Sequence, residues 1–133
     1  MAEQENLALV RKAIEGFNAG RPGDFIDLMD DEVVFHAPGR HLFAGTYRGK
    51  AGVGEFFGHL AQASDPGSTH IDLLHLLSGG DDHVVAIWRA HASRKGVTYS
   101  GIAGYIFRMR DGKIVEARNL QEDQEAIDRF WML

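Results

Sequence analysis

The chain contains no cysteine and only three prolines in 133 residues. Without cysteine it can form no disulfide, no thiolate nucleophile and no cysteine-based zinc site. No cluster of lysine and arginine is longer than two residues, and the net charge is −5. Because a protein that grips phosphate backbones normally carries a basic patch, we expect no nucleic-acid partner.

Long apolar runs are also missing. No stretch approaches the roughly 20 apolar residues that cross a bilayer, and the N-terminal MAEQENLALV is acidic where a signal peptide needs positive charge. We therefore expect no membrane partner and a cytoplasmic location. The length and the ordinary composition, 44% hydrophobic and 25% charged, predict a single folded domain over residues 1–133.

Apolar residues that recur every three to four positions predict four helices. Gly20 suits the end of the first helix, and Pro22 suits the first turn of the second. Asp123 is placed to act as the N-cap of the last helix. The predicted helices cover Glu3–Phe17, Pro22–Met29, Lys50–Ala63 and a final segment from Gln124.

Turn signals between the helices delimit the strands. Pro38-Gly39 ends the first strand, and Asp111-Gly112 predicts a tight hairpin turn. Four of the strands follow one another and are interpreted as an antiparallel meander. The predicted strands are Glu32–His36, the short Thr46–Arg48, Thr69–Leu77, His83–Arg94, Val97–Arg110 and Lys113–Gln121.

Alternation along the two longest strands sorts their side chains onto two faces. Trp88 and Tyr105 lie among small residues on one face, which leaves room for the helices or for a cavity beneath them. The opposite face is mixed enough for solvent or for contact in a homodimer. On the first of the two strands it carries Val85, Ile87, Arg89, His91 and Ser93.

The order of elements defines an α+β class, with helices on one side of a curved sheet. The segments DDEVVFHAPGRHLFAGTYRG and RDGKIVEARNLQEDQEAIDRFW make this order more specific. With them the chain resembles the nuclear transport factor 2-like superfamily, in its SnoaL-like branch related to polyketide cyclases and ketosteroid isomerases. The resemblance covers nearly the whole chain. It implies a cone-like fold in which a curved antiparallel sheet wraps around the N-terminal helices and the third helix, with an apolar pocket between them.

The resemblance also implies where a catalytic base would lie. In the ketosteroid isomerase relatives the base ends the first strand, a position that falls at or next to His36. The tyrosine and the protonated aspartic acid that hold the oxyanion in those enzymes fall near Ala13 and near Gly104 or Tyr105. Both donors are missing here, so the resemblance does not imply that isomerase mechanism.

In the polyketide cyclase relatives an acidic residue after the last strand is the base, and Glu122 or Asp123 lies in that region. Asp123 can equally serve only as a helix cap. A histidine suits proton transfer at neutral pH, so His36 is the first catalytic candidate, against the alternative of a strand-end histidine bonded to the backbone. Arg118 and Asn119 point to opposite faces of the last strand, so only one of them can face the pocket.

Aromatic and polar residues near the expected pocket are candidates for ligand contact, although plain core packing explains each of them as well. His75 stands among apolar residues, where a structural histidine with a satisfied ring is the alternative. The ligand-binding candidates are Phe35, Phe56, Phe57, His75, Trp88, Tyr105 and Asn119.

Motifs for cofactors and metals do not match. The Gly45 to Lys50 segment has one residue too few for a P-loop and is followed by Ala51, and the later glycines are wrongly ordered for a dinucleotide fingerprint. The histidine pairs are five residues apart on no shared helical face, which does not support a metal site. We expect no cofactor and no metal.

These observations predict a protein that binds a small, mostly apolar molecule in a deep pocket. As an enzyme it would perform cofactor-free acid/base chemistry, such as isomerisation, cyclisation, hydration or hydrolysis, with His36 as acid or base and Asp123 or Arg118 assisting. The alternative is a non-catalytic ligand-binding or dimeric interaction module. The two differ in whether His36 and a second ionisable group converge on one cavity.

Overall fold

The computed structural model describes residues 2–80 and 82–133 as four helices and one six-stranded sheet. The α+β class is confirmed. No helix in these two ranges is long and apolar enough to cross a membrane. The helices are α1 (Ala2–Asn18), α2 (Gly23–Leu28), α3 (Gly49–Ala63) and α4 (Gln124–Trp131). The strands are β1 (Met29–Ala37), β2 (Gly45–Arg48), β3 (His70–Gly79), β4 (His83–Arg94), β5 (Val97–Arg110) and β6 (Lys113–Gln121).

The strand order in the sheet is β2-β1-β6-β5-β4-β3. The predicted meander of β3 to β6 is confirmed, since each of these strands pairs antiparallel with the next. β1 lies beside β6 and runs parallel to it, while β2 pairs antiparallel with the outer edge of β1. A parallel pair needs a long crossover, and here the whole chain between β1 and β6 provides it.

Registers across the central strands fix which side chains point to which face. Phe35 of β1 is aligned with Ala117 of β6, and His36 is aligned with Arg118. Phe35 is 1% exposed, whereas His36 is partly exposed. Because neighbouring residues of a strand point to opposite faces, Phe35 lies on the inner face, under the helices, and His36 lies on the outer face.

Helices cover the inner face. α1 packs against α2 and β3, and α3 packs against β1 and β2. Phe35 is the centre of an aromatic cluster, with ring centroids 4.8 Å from Phe56, 5.6 Å from Tyr105 and 6.2 Å from Phe57. Burying a side chain of this size stabilises the fold by about 1.5–3 kcal/mol.

The short amphipathic helix α4 closes one end of the molecule. It buries Phe130 and Trp131. The ring centroid of Phe130 lies 5.3 Å from that of Tyr99 in β5, and the ring centroid of Trp131 lies 5.4 Å from that of Phe43 in the β1–β2 connection. Asp123 begins the helix, and its Oδ1 accepts a hydrogen bond from the backbone N–H of Ala126 at 3.0 Å. The predicted N-cap is therefore confirmed.

Turn chemistry sets the β5–β6 hairpin as predicted. Asp111 and Gly112 have φ angles of 52° and 73°. Positive φ at both central positions is the geometry that matches the twist of the flanking strands, and aspartate followed by glycine adopts it readily. This hairpin fixes the register of β6 against β5.

Asp65, in the connection between α3 and β3, holds the tip of the β4–β5 hairpin. Its carboxylate accepts hydrogen bonds from the N–H groups of Lys95 and Gly96 and from the hydroxyl of Ser93, each at 3.0 Å. The Asp65 N–H donates in turn to the Ser93 carbonyl at 2.7 Å. One side chain thus joins the end of α3 to a turn 30 residues later.

Candidate functional site

His36 pairs with a carboxylate on the neighbouring strand. Its Nε2 lies 3.0 Å from Oε2 of Glu116, and its Nδ1 lies 3.5 Å from the hydroxyl oxygen of Thr46 on β2. An ionised carboxylate only accepts hydrogen bonds, so Nε2 carries the proton and Nδ1 is left as the basic nitrogen of the neutral ring. The side chains of His36 and Glu116 are 25% and 35% exposed.

Glu116 is the centre of a charge cluster on the outer face. Its carboxylate lies 3.6 Å from a guanidinium nitrogen of Arg118 and 3.8 Å from one of Arg108. The hydrogen bond from His36, followed by the nearby positive charges, holds the pKa of Glu116 below its ordinary value. Glu116 is therefore ionised at neutral pH, and it orients the His36 ring by accepting from its Nε2–H.

A groove of about 550 Å³ opens where β1 ends. β1 stops after Ala37 because Pro38 has no N–H with which to continue the ladder, and Gly39 then turns the chain with φ of 112°. β6 continues to Gln121, so its last residues border the groove. The groove is lined by His36, Ala37, Pro38, Gly39, Gly45, Thr46, Arg118, Asn119, Leu120, Gln121 and Gln124.

Three neutral polar side chains, which we call the inner polar trio, lie on the inner face of β5 and β6: Tyr105, Asn119 and Gln121. Tyr105 is aligned with Asn119 across the two strands, and the Asn119 amide lies close enough to the Tyr105 hydroxyl to act on its pKa. The Gln121 amide donates to Oδ1 of Asn119 at 2.9 Å. Two of the three, Asn119 and Gln121, also line the groove.

Tyr105 is the deepest member of the trio. Its ring centroid lies 5.3 Å from those of both Trp88 and Phe107. Loss of hydration in this apolar setting raises its pKa well above the ordinary value, and the hydrogen bond from Asn119 offsets only part of this rise. The hydroxyl is therefore neutral at physiological pH and can donate a hydrogen bond. The residue still keeps partly accessible surface.

The structure answers one question that the sequence left open. Arg118 points outward and is 52% exposed, while Asn119 points inward to Tyr105. His75 follows an irregularity in β3, is aligned with Ile87 and is exposed on the outer face, away from the trio. Six candidates lie together between the inner face of the sheet and the helices, two of them on α3 itself: Phe35, Phe56, Phe57, Trp88, Tyr105 and Asn119.

Two of the three ionisable catalytic candidates, His36 and Arg118, converge on the groove. Asp123 is occupied as the cap of α4 and does not line it. Sequence reasoning missed Glu116, Thr46 and the two glutamines. Alternation already placed Glu116 on the same face of β6 as Arg118, but only the pairing of β1 with β6 brings His36 to them.

A second histidine cluster lies on the outer face, at the opposite edge of the sheet. Asp72 accepts hydrogen bonds from Nε2 of His70 and Nε2 of His91, each at 2.8 Å. These bonds lower the pKa of Asp72. Within the two ranges that the structure describes, no three histidine or acidic side chains are arranged to hold a metal ion.

The sequence matches the SnoaL-like domain over residues 10–117, most of the chain. The chain belongs to the SnoaL-like family. The predicted resemblance to the nuclear transport factor 2-like superfamily is thereby confirmed, and solved structures of NTF2-like proteins share the fold.

Relatives of this SnoaL-like protein align with it end to end. An uncharacterized protein of Mycobacterium tuberculosis is 29% identical over 131 residues, which are 98% of this chain and 99% of the relative. Bal32a, from a soil-derived mobile gene cassette, superposes with a TM-score of 0.92 at 28% identity and covers 98% of this chain and 99% of its own. TerC, co-crystallized with polyporic acid, superposes with a TM-score of 0.82 at 20% identity over 96% of this chain and 98% of its own, which shows a shared fold.

Proposed function

We propose that this SnoaL-like protein binds a small, mostly apolar molecule in a chamber between the inner sheet face and the helices, with a carbonyl or hydroxyl oxygen of the ligand at Tyr105. One observation carries the proposal. The Tyr105 ring lies with its centroid 5.3 Å from those of Trp88 and Phe107, yet the residue keeps accessible surface. A side chain that is enclosed by apolar rings and still partly accessible is what the wall of an internal space would present.

The chemistry of the walls selects the ligand class. Trp88, Phe107 and Phe35 surround Tyr105 with apolar rings. The inner polar trio supplies a phenol and two amides, so the polar groups that meet a ligand here carry no charge. Apolar walls with a few fixed hydrogen-bonding groups suit a neutral aromatic or alicyclic body with one oxygen function. TerC, which shares the fold, was co-crystallized with polyporic acid, and this supports a fold that accommodates small organic molecules.

A pair of matched ligands tests the proposal. Acetylnaphthalene and ethylnaphthalene share an apolar body, and only the first has a carbonyl oxygen. In calorimetric titrations both are expected to bind with saturation, and Tyr105→Phe is expected to weaken the ketone about two- to tenfold and the hydrocarbon hardly at all, because one net hydrogen bond is lost. Tyr99→Phe, whose ring packs on Phe130 of α4, is the control. An equal loss for both ligands, or no saturable binding of either, would contradict the proposal.

Acid/base chemistry is the second candidate function, and the His36–Glu116 hydrogen bond of 3.0 Å favours it. The carboxylate accepts from Nε2–H and orients the ring, so Nδ1 is the nitrogen that would accept a proton. Arg118, in the same groove, would hold a developing negative charge. Turnover of an identified substrate that survives unchanged in His36→Ala would remove this mechanism and leave a non-catalytic ligand-binding module.

The outer sheet face supports the expected homodimer. Ile87, Ile102 and Ile106 keep accessible surface there, and Leu120 is 46% exposed. Covering such a face with a second copy would remove apolar surface from water. Sedimentation velocity is expected to give a dimer mass for the natural protein and a monomer mass for Ile102→Glu. A monomeric natural protein would rule out this assembly.

A further inference from the structure

The groove passes through the sheet from its outer face to its inner face. β6 alternates along its last residues, so Arg118 and Leu120 point outward while Asn119 and Gln121 point inward, and all four line the groove. In a closed sheet, residues of opposite faces cannot share one opening. They share it here because β1 stops at Ala37 and leaves the edge of β6 open beyond that level.

The inner end of this passage joins the proposed chamber. Asn119 lines the groove and is also the cross-strand neighbour of Tyr105, the deepest group of the inner polar trio. Its other contacts, to the Gly104 carbonyl at 3.3 Å and from Gln121 at 2.9 Å, keep it on the inner face. A ligand whose body lies beside Tyr105 could therefore extend past Asn119 toward the outer rim.

The two ends of the passage differ in charge. Neutral amide and phenol groups surround the inner end, whereas the outer rim carries the guanidinium of Arg118 and the imidazole of His36. Gln124 reaches the rim from α4, where its amide donates to the Pro38 carbonyl at 3.3 Å. The charged donor that the rim offers is thus the guanidinium of Arg118.

The guanidinium of Arg118 can donate further hydrogen bonds to a ligand. Its guanidinium lies 3.6 Å from Glu116, its one ion pair among the residues described, and it makes no hydrogen bond of 3.5 Å or less within them. It is also 52% exposed. A guanidinium presents a planar fork of N–H donors that fits a carboxylate with two parallel hydrogen bonds.

Resting on the proposed function, we infer that the ligand is an amphipathic carboxylic acid, with its apolar body in the chamber beside Tyr105 and its carboxylate in the groove at Arg118. Glu116 competes for the same guanidinium and tunes the affinity.

Two ligands with one body and different ends test this inference. Naphthylbutanoate and naphthylbutanol are titrated calorimetrically into the natural protein and three variants at pH 7. The acid is expected to bind more tightly than the alcohol. Arg118→Gln is expected to weaken the acid about fivefold and leave the alcohol unchanged, as for a partly exposed ion pair. Glu116→Gln is expected to tighten the acid, because the competing carboxylate is gone.

Arg110→Gln is the matched control. Arg110 is an exposed arginine at the far end of β5, beside the hairpin turn, where it is aligned with Lys113. Equal affinities for acid and alcohol in the natural protein, or equal effects of Arg118→Gln and Arg110→Gln, would overturn the inference and leave the proposed function standing. Absence of saturable binding for both ligands would overturn the proposed function and this inference with it.

Discussion

Nε2 of His36 lies 3.0 Å from Oε2 of Glu116, although the two residues are 80 positions apart in the sequence. They meet because β1 and β6, which are far apart in the sequence, are neighbours in the sheet and pair in parallel. Both side chains lie on the outer face of the sheet, whereas Tyr105 lies on the inner face. The protein therefore separates its ionisable pair from its apolar interior, and the groove at the end of β1 is where the two regions come together.

Glu116 should make stability depend on pH in the acid range. Its pKa is lowered on folding from an ordinary value of 4.5, so the stabilisation is present above that value and is lost as the pH falls through the folded pKa. Glu116→Gln is expected to be slightly less stable than the natural protein at pH 7, with a difference below about 1 kcal/mol because the pair is partly exposed. Urea unfolding at pH 7 and pH 3 measures it. A difference that did not shrink at pH 3 would contradict the assignment.

Tyr105 should titrate at a higher pH than a free tyrosine. Its pKa is raised on folding, so the neutral phenol stabilises the fold below pH 10 and this contribution is lost as the pH rises further. The chain has three tyrosines. Ultraviolet difference spectra at rising pH are expected to lose their last ionising component in Tyr105→Phe, and that variant should lose less stability above pH 10. An unchanged last component would place the deepest hydroxyl elsewhere.

Gly39 and Gly58 are expected to respond to alanine in opposite directions. At Gly39 φ is 112°, and a Cβ there would overlap the side chains of Gln124 and Asp128. Gly39→Ala should cost about 1–2 kcal/mol, mainly through backbone strain, because the overlapped atoms are the ends of flexible side chains that can move. Gly58 is exposed inside α3 with no neighbouring atom near its Cβ position, so Gly58→Ala should add about 0.5–1 kcal/mol. Chemical denaturation measures the free energy of unfolding of both variants. A Gly39→Ala variant as stable as the natural protein would contradict the strain expected at this position.

Asp65 should matter more for stability than its surface position suggests. Three donors from the β4–β5 hairpin converge on its carboxylate, and they lower its pKa. Asp65→Ala is expected to reduce the melting temperature clearly, since the two N–H groups of the turn lose their acceptor. Asp31→Ala is the control, because Asp31 is 92% exposed and its partner Lys50 is 3.7 Å away. Equal melting temperatures for the two variants would show that the hairpin holds its shape without this contact.

Much of the fold follows from local signals. Helical periodicity, the Asp123 cap and the Asp111-Gly112 turn each depend on residues close in sequence, and the structure confirms all three. Pairing between β1 and β6 depends instead on how the whole intervening chain packs, which periodicity does not describe. The family resemblance predicted the cone-like fold. The residue that faces His36, however, could be identified only from the register between β1 and β6.

The orientation of His36 was within reach of the sequence. Val33, Phe35 and Ala37 alternate with it and are apolar, so the two-residue period of a strand already placed His36 opposite the buried side chains. The accessibility of Tyr105 was not within reach. Small residues beside an aromatic residue can leave a space, or side chains of the helices can fill that space. The packing of the helices on the sheet decides between the two, and no pattern in the sequence of β5 shows the outcome.

Pro38 sets where β1 ends, because a residue without an N–H cannot continue the hydrogen-bond ladder. A strand end that depends on packing can shift by a residue when neighbours change, but a ring that lacks an N–H stops the ladder at the same place in every conformation. The width of the passage beside β6 therefore depends on the position of this one proline. Homologues that carry this imino acid earlier or later along β1 should have wider or narrower passages, and with them a different largest ligand.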